Sequence, residues 1–413
     1  MTEVWTQATL WIGLALIATL LSIWLGIATA LSEIVIGTVA QLLIGALAGT
    51  VALGADESWV RFLSGTGAIV LTFLAGAELD PVVFRMKWKE ATIIGLVAFF
   101  APFLGCTVVA YYGLAWSLQA SWLAGVALST TSVAVVYAVM LELGFNKTEF
   151  GKVVLAACFI NDLGTVVALG LIFAPFTIRT LIFISVSVAV FAVIPWLTPR
   201  FFRRFGGRPS ELEAKYLLFL LFGLGALATW SESEAVLPAY LVGMVLAGTV
   251  GKDHALIRRL RTLTFGMLTP FYFIRAGSFV SVPALLAAPV TFLVLFLGKM
   301  ITKSFGVLPT AYFLKYRRRE RVYTTLLMST GLTFGTISAL FGLSHGVITQ
   351  AQYSHLVATV IASAVIPTLI ANKFFIPYYL LPKRKDVEIL KPESISDTMN
   401  RGETHDSESS DRI

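Results

Sequence analysis

The sequence predicts an all-α membrane protein, and three observations carry that prediction. Apolar residues make up 57% of the 413 positions, charged residues only 13%, and the mean hydropathy is +0.82. A water-soluble domain of this length could not cover such a composition with polar surface. The apolar runs are about 20 residues long and unbroken rather than alternating, which selects helices over a barrel as the way to satisfy every backbone group in lipid. Basic residues gather in the short stretches between those runs.

Windows of about 20 apolar residues give about thirteen spans, near 8–30, 32–53, 61–79, 91–114, 121–141, 151–173, 179–197, 215–231, 235–250, 264–282, 285–314, 322–343 and 353–380. The basic clusters follow every odd span. Arg85, Lys87 and Lys89 follow the third; Lys147 and Lys152 surround the next such loop; Arg200, Arg203, Arg204 and Arg208 follow the seventh. Lys252, Arg258, Arg259 and Arg261 continue the series, as do Arg317 to Arg319 and Lys383 to Lys385. By the positive-inside rule this places the N-terminus outside and the C-terminus in the cytoplasm. The transmembrane domain is expected over 1–382. Residues 383–413, rich in Ser, Asp and Glu, are expected to form a disordered cytoplasmic tail with no room for a nucleotide-binding regulatory domain.

The net charge of +7 records this topology rather than a nucleic-acid partner. Cys106 and Cys158 lie inside apolar runs without metal-ligand spacing, so neither a disulfide framework nor a zinc site is expected. The first apolar run is long enough to remain in the bilayer, and no small-residue cleavage site follows a basic region, so no cleaved signal is expected. No nucleophile and base stand at usable spacing and no phosphate loop occurs, so neither an enzyme nor a cofactor is expected.

With the seventh span as a linker, spans one to six and eight to thirteen start on opposite sides, the arrangement of an inverted repeat. Corresponding oddities occur in the two halves. Span five carries Leu128-Ser129-Thr130-Thr131-Ser132, and span twelve carries Ser329-Thr330-Gly331-Leu332-Thr333. Hydroxyl and glycine clusters at membrane depth are expected where two discontinuous helices expose carbonyls and half-helix ends to an ion.

Asn161 and Asp162 interrupt the apolar run of span six. A carboxylate there costs several kcal/mol to insert and reads as part of an ion or proton pathway. Asp162 lies about 11 residues, or roughly 16 Å, from the cytoplasmic end of its span, close to the midplane. Asn161 supplies a neutral amide beside it. Span eleven holds Lys299 and Lys303, both too deep to snorkel easily, and the simplest pairing joins Lys303 to Asp162 when no cation is bound. Arg275, placed near mid-depth in span ten, is a plausible structural counter-charge, because arginine does not release its proton. Glu78 and Asp80, at the inner end of span three, are expected to line a cytoplasmic funnel.

These motifs resemble the monovalent cation:proton antiporters, in the branch that holds bacterial sodium/proton antiporters and the membrane part of potassium-efflux systems. Phe73-Leu74-Ala75-Gly76-Ala77-Glu78-Leu79-Asp80 is similar to that branch's Phe-Leu-Ala-Gly-Leu-Glu-Leu-Asp, Gly125 to Thr131 to its Gly-x-x-Leu-Ser-x-Thr, and Lys303-Ser304-Phe305-Gly306 to its Lys-Leu-Leu-Gly. The resemblance covers about 8–380. It implies exchange of Na+ (or Li+) for H+ in a bacterial inner membrane by a homodimer. Each protomer would have a dimerisation part and a six-helix core, mainly 91–173 and 285–380, moving as an elevator. The span-six carboxylate would carry ion or proton, with the Ser129, Thr130 and Thr131 cluster beside it and Ser132, Ser329, Thr330, Gly331 and Thr333 lining the breaks. K+ is the rival ion, a gated K+ efflux pathway a rival class, and an organic-anion symporter a further alternative on the same architecture. The sequence departs from the branch in three places: Asn161-Asp162 is coupled with lysine rather than arginine, no glutamate follows Gly331, and Arg275 stands where a small neutral residue is usual.

Overall fold

The computed structural model describes residues 2–25, 29–48, 53–77, 81–145, 148–173, 177–207, 210–231, 233 and 235–381, and among these the secondary structure is helical without a strand. The N-terminal helices are α1 (Thr2–Leu25), α2 (Thr29–Ala48), α3 (Ser58–Ala77) and α4 (Pro81–Val108), the last running into a π-helical turn over Val109–Gly113. Then come α5 (Leu118–Ser129), α6 (Val133–Leu143), α7 (Glu149–Phe173), α8 (Ile178–Phe205), α9 (Leu212–Trp230) and α10 (Val236–Leu246). The chain continues through α11 (His254–Leu263), α12 (Thr269–Ser278), α13 (Val282–Ala287), α14 (Pro289–Phe313), α15 (Arg318–Met328), α16 (Thr333–Ser344) and α17 (Gln350–Ile370).

Among the described residues nine helical segments are long and apolar enough to cross a bilayer, and Thr29–Leu43, Leu118–Ser129 and Val236–Leu246 add shorter apolar helices. The thirteen expected windows each meet helix, but not thirteen uninterrupted ones. Spans five and twelve are broken, and span ten is carried by a π-helical turn followed by the ten-residue α12. The stretch at 254–263, read from its arginines as loop, is the amphipathic α11. Leu256, Ile257 and Leu260 are buried on one side of it, and Asp253 caps its first turn by accepting from the Leu256 amide at 3.0 Å. The proposed tail at 383–413 lies outside the described residues.

Two close helix crossings organise one side of the bundle. In α2 and α12, a Cβ on Gly37 would strike the carbonyl of Ile274, and one on Gly277 would strike the carbonyl of Ile34. The crossing of α3 with α10 has the same reciprocity: Gly76 faces the carbonyl of Tyr240, and Gly243 faces that of Phe73. Each of the four helices therefore offers an apolar residue followed three positions later by glycine, and the paired glycines let the backbones touch. In hydrocarbon, where burial drives no helix association, this close approach supplies the packing energy.

The other side holds the two broken helices. α5 starts on Ser117, whose hydroxyl accepts from the Ala120 amide at 3.3 Å, and stops where Thr130 turns to φ −62°, ψ 150°. The chain resumes as α6 three residues later. α15 stops after Met328, and α16 begins at Thr333 behind a Leu332 at φ −149°, ψ −74°. α4, α7 and α14 pack round the pair, and Gly125 lets α5 lie directly on the Phe103 carbonyl and Thr107 hydroxyl of α4.

Candidate functional site

Non-helical backbone at membrane depth survives only where protein satisfies it. Here the two interruptions satisfy each other. The Ser132 amide donates to the Thr330 carbonyl at 3.0 Å, and the Thr131 hydroxyl donates to the Met328 carbonyl at 2.7 Å. The remaining hydroxyls fold back on their own helix ends: Ser129 to Val126 at 2.8 Å, Thr130 to Ala127 at 3.1 Å, Ser329 to Thr325 at 2.7 Å and Thr330 to Leu327 at 2.8 Å. Gly331 lies close under two side-chain ends, since a Cβ there would meet the Lys299 ammonium and, at 2.9 Å, Thr130 Oγ1. Thr333, half-buried, opens α16.

Asn161 and Asp162 approach this crossing from α7, both essentially fully buried. Asn161 Nδ2 donates to the Ser129 carbonyl at 3.2 Å, which ties α7 to the end of α5. Its Oδ1 and Asp162 Oδ1 have no hydrogen-bond partner. Oxygen acceptors are thus left open on two consecutive buried residues, and the one on the carboxylate is suited to a hard monovalent cation or a proton.

The two lysines of α14 have separate tasks. Lys299 Nζ donates to the Thr130 carbonyl at 3.4 Å, and so lies at the negative end of α5. Lys303 Nζ donates to Thr131 Oγ1 at 2.9 Å, and the Thr131 hydroxyl donates to the Met328 carbonyl, so this second cation serves the end of α15 through one hydroxyl. Among the described residues no ion pair joins Asp162 to Lys299, Lys303 or Arg275. The expected Lys303–Asp162 contact is replaced by Lys303–Thr131, because the carbonyl ends of two half-helices claim the ammonium groups first. We expect Lys303→Met to lower thermal stability in detergent by about 1.5–3 kcal/mol, the worth of a charged hydrogen bond. Lys303→Gln, which keeps a donor for Thr131, should lose less; equal melting of the two would remove the Thr131 contact from the account.

Arg275 belongs elsewhere. Its Nε donates to the Ala55 carbonyl at 2.7 Å, its Nη2 lies 3.3 Å from Asp56 Oδ1, and its guanidinium stacks over Phe279. Arg275 stands one turn before the end of α12, and its partners Ala55 and Asp56 belong to the 53–57 loop. A local ion pair does accompany this departure from the branch. Glu78 and Asp80, expected to line a funnel, lie outside the described residues.

Three residues escaped the sequence reading. Tyr240 donates its hydroxyl at 2.9 Å to the carbonyl of Phe159, two positions before Asn161, while its ring meets Phe334 edge-on at 5.6 Å. Tyr353 of α17 similarly donates to Ala276 of α12 at 2.7 Å. Each joins one of the glycine crossings to the helices around the breaks. Glu33 is 2% exposed within α2. The predicted span began at residue 32, which made Glu33 look terminal, whereas the helix starts a turn earlier.

The geometry can be set beside known proteins. The family described as sodium/hydrogen exchanger, transmembrane, matches residues 12–374. A probable Na+/H+ antiporter of Methanocaldococcus jannaschii is 24% identical over 341 residues, which cover 78% of this chain and 86% of that protein. The Na+/H+ antiporter of Enterococcus hirae is 24% identical over 351 residues, 81% of this chain and 91% of its own length. A glutathione-regulated potassium-efflux system protein of Cronobacter sakazakii is 25% identical over 352 residues, 81% of this chain but only 54% of that longer protein. The solved structure of the sodium proton antiporter MjNhaP1 from Methanocaldococcus jannaschii at pH 8 superposes with a TM-score of 0.67 at 15% identity, covering 90% of this chain and 99% of that one, a likeness of fold. The family match runs from α1 into the π-helical turn after α17 and takes in both breaks, Asn161, Asp162 and the two lysines: the chain belongs to the transmembrane sodium/hydrogen exchanger family.

Proposed function

We propose that this multi-pass membrane protein is a secondary antiporter that exchanges Na+ or Li+ for H+ by alternating access around Asp162. The observation that carries the reading is the buried carboxylate of Asp162, whose Oδ1 stands unpartnered one residue after Asn161, the amide of which is tied to the Ser129 carbonyl at the end of α5. A single carboxylate that binds either a cation or a proton, but not both, is sufficient for exchange. The Na+/H+ antiporters among its relatives support the choice of ions.

Asp162 is the ion and proton carrier in this reading. Asn161 holds its place through Ser129, and Thr130, Thr131, Thr330 and Gly331 shape the crossing. Lys299 and Lys303 neutralise the helix ends, so that the one negative charge at the centre remains available to the cation. The core over 91–173 and 285–380 moves as an elevator against a dimerisation part in a homodimer, with the N-terminus outside and the C-terminus in the cytoplasm of a bacterial inner membrane. Tyr240 and Tyr353 span the boundary between those parts in the conformation described, and their two hydrogen bonds would have to break and re-form in each cycle.

K+ is the second reading, favoured by the similarity to a potassium-efflux protein. Proteoliposomes carrying a preset pH gradient, held at fixed membrane potential and given Na+, Li+ and K+ in turn, decide between them. We expect Na+ and Li+ to dissipate the gradient and K+ to do so weakly. Dissipation by K+ alone would reassign the ion, and cation flux without proton movement would exclude antiport.

A further inference from the structure

A cavity of about 840 Å³ opens on the face of the molecule that carries the 53–57 loop. Gln41, Asp56 and Arg61 line it from α2 and from the loop and start of α3, Leu343 and Gln350 line it from α16 and α17, and Phe279 joins the lining just after α12. So polar and roomy a space holds water. Its two sides belong to different packing groups. Among the described residues, α4 to α7 pack with α14 to α17 and α1 to α3 pack with α8 to α12, while α7 against α10, and α13 against α14 and α17, join the two groups. The cavity therefore straddles their boundary.

Next to the cavity, the start of α17 is bonded across that boundary to the end of α12. The Tyr353 hydroxyl donates to the Ala276 carbonyl at 2.7 Å, the Ser281 amide donates to the Ser354 hydroxyl oxygen at 2.7 Å, and Gln350 Nε2 comes within 3.5 Å of the Phe279 carbonyl. The first bond is the hardest to give up. Ala276 lies in the last turn of α12, and the amides of Phe279 and Val280, which could have served its carbonyl, both donate to Gly277 instead. If Tyr353 withdraws, a buried carbonyl and a buried phenol lose their partner together unless water replaces it. The bond from Tyr240 differs, because Phe159 stands in mid-α7, where its carbonyl keeps the ladder bond to the amide four residues on. Val357 and Val360 continue the Tyr353 face of α17 and are fully buried. A Cβ on Gly335 would stand 2.8 Å from Val360 Cγ2 and 3.1 Å from Thr130 Oγ1, so this face of α17 runs from the cavity to the broken helices.

We propose that the cavity is a water-filled entrance to the ion site and that Tyr353 is its gate, a positioning residue that holds α17 on α12 until water from the cavity takes over the Ala276 carbonyl. The gate rests on the alternating-access reading and is independent of which ion Asp162 carries.

The test is the rate at which a water-soluble maleimide labels single introduced cysteines in the full chain in detergent. Cys106 and Cys158 are buried, and the chain without an added cysteine sets the background. Val357→Cys places its thiol one turn beyond the gate, and Leu343→Cys places one in the cavity wall before it. Adding Tyr353→Phe should raise the rate at Val357→Cys by about tenfold, the effect on an opening equilibrium of one buried hydrogen bond left unmade. Leu343→Cys should label quickly with or without that change. Adding Tyr240→Phe should alter either rate by less than about twofold, since it orphans no carbonyl. Val360→Cys, a turn deeper, is a second reporter and should follow the pattern of Val357→Cys. Rates at both reporters unmoved by Tyr353→Phe overturn the gate, and an equal rise with Tyr240→Phe overturns it too, because the two tyrosines would then act only by tightening the bundle. Slow labelling at Leu343→Cys overturns the entrance. If the labelling pattern holds while proton movement with Na+, Li+ and K+ stays at the level of empty vesicles, the gate stands and the antiport reading falls.

Discussion

Asp162→Asn is expected to abolish cation-driven proton movement in proteoliposomes while the protein folds and reconstitutes normally. The substitution replaces one carboxylate oxygen by an amide nitrogen of the same size, so packing around α7 is preserved. Among the described residues it removes the one buried carboxylate of α7, near a crossing where Asn161, Thr130, Thr131 and Thr330 are all neutral. Withdrawing the charge partner of a buried ion costs about 3–5 kcal/mol, a loss of roughly 100- to 1,000-fold in affinity, and the proton loses its acceptor in the same step. Exchange should therefore fall to the leak of empty vesicles with Na+, Li+ and K+ alike. Thermal stability should be unchanged or slightly raised, because an uncompensated charge has left the interior. Full exchange by a folded Asp162→Asn protein would remove Asp162 from the mechanism, and collapse of the fold would recast it as a structural residue.

The parts of this site that the sequence displayed are those whose chemistry is anomalous in its surroundings. Asp162 stood out because charge is expensive in an apolar run, and the breaks stood out because Ser129 to Ser132 and Ser329 to Thr333 cluster hydroxyls and glycine where long helices should be apolar. What stayed hidden depends on partners distant in the chain. Nothing local to Lys303 reveals that Thr131, 172 positions earlier, accepts its hydrogen bond. Nor does anything near Arg275 point to Asp56, 219 positions earlier in the loop before α3. Tyr240 was invisible for the opposite reason: an aromatic residue in an apolar helix is ordinary, and only the Phe159 carbonyl opposite its hydroxyl gives it a task.

Gly243→Ala should be among the most damaging small substitutions in the chain, although it adds one methyl far from the charged groups. That methyl would land on the carbonyl of Phe73 and within 2.9 Å of the Ala77 amide, both backbone atoms that cannot rotate away. The α3 and α10 helices must then separate, at a cost of about 1–3 kcal/mol as for overpacked cores. Separation would also carry Tyr240 off the Phe159 carbonyl and loosen the register of Asn161 and Asp162. Reduced expression, a lower melting temperature in detergent and impaired exchange are expected together. Gly331→Ala is the discriminating control, because its new methyl meets the free end of the Lys299 side chain first and that end can swing aside. If backbone contact is what makes these glycines necessary, Gly331→Ala should fold nearly as well as the native chain and Gly243→Ala should not. Equal stability of the two variants would show that the reciprocal crossing yields to a methyl group and contributes little to holding α10 against α3.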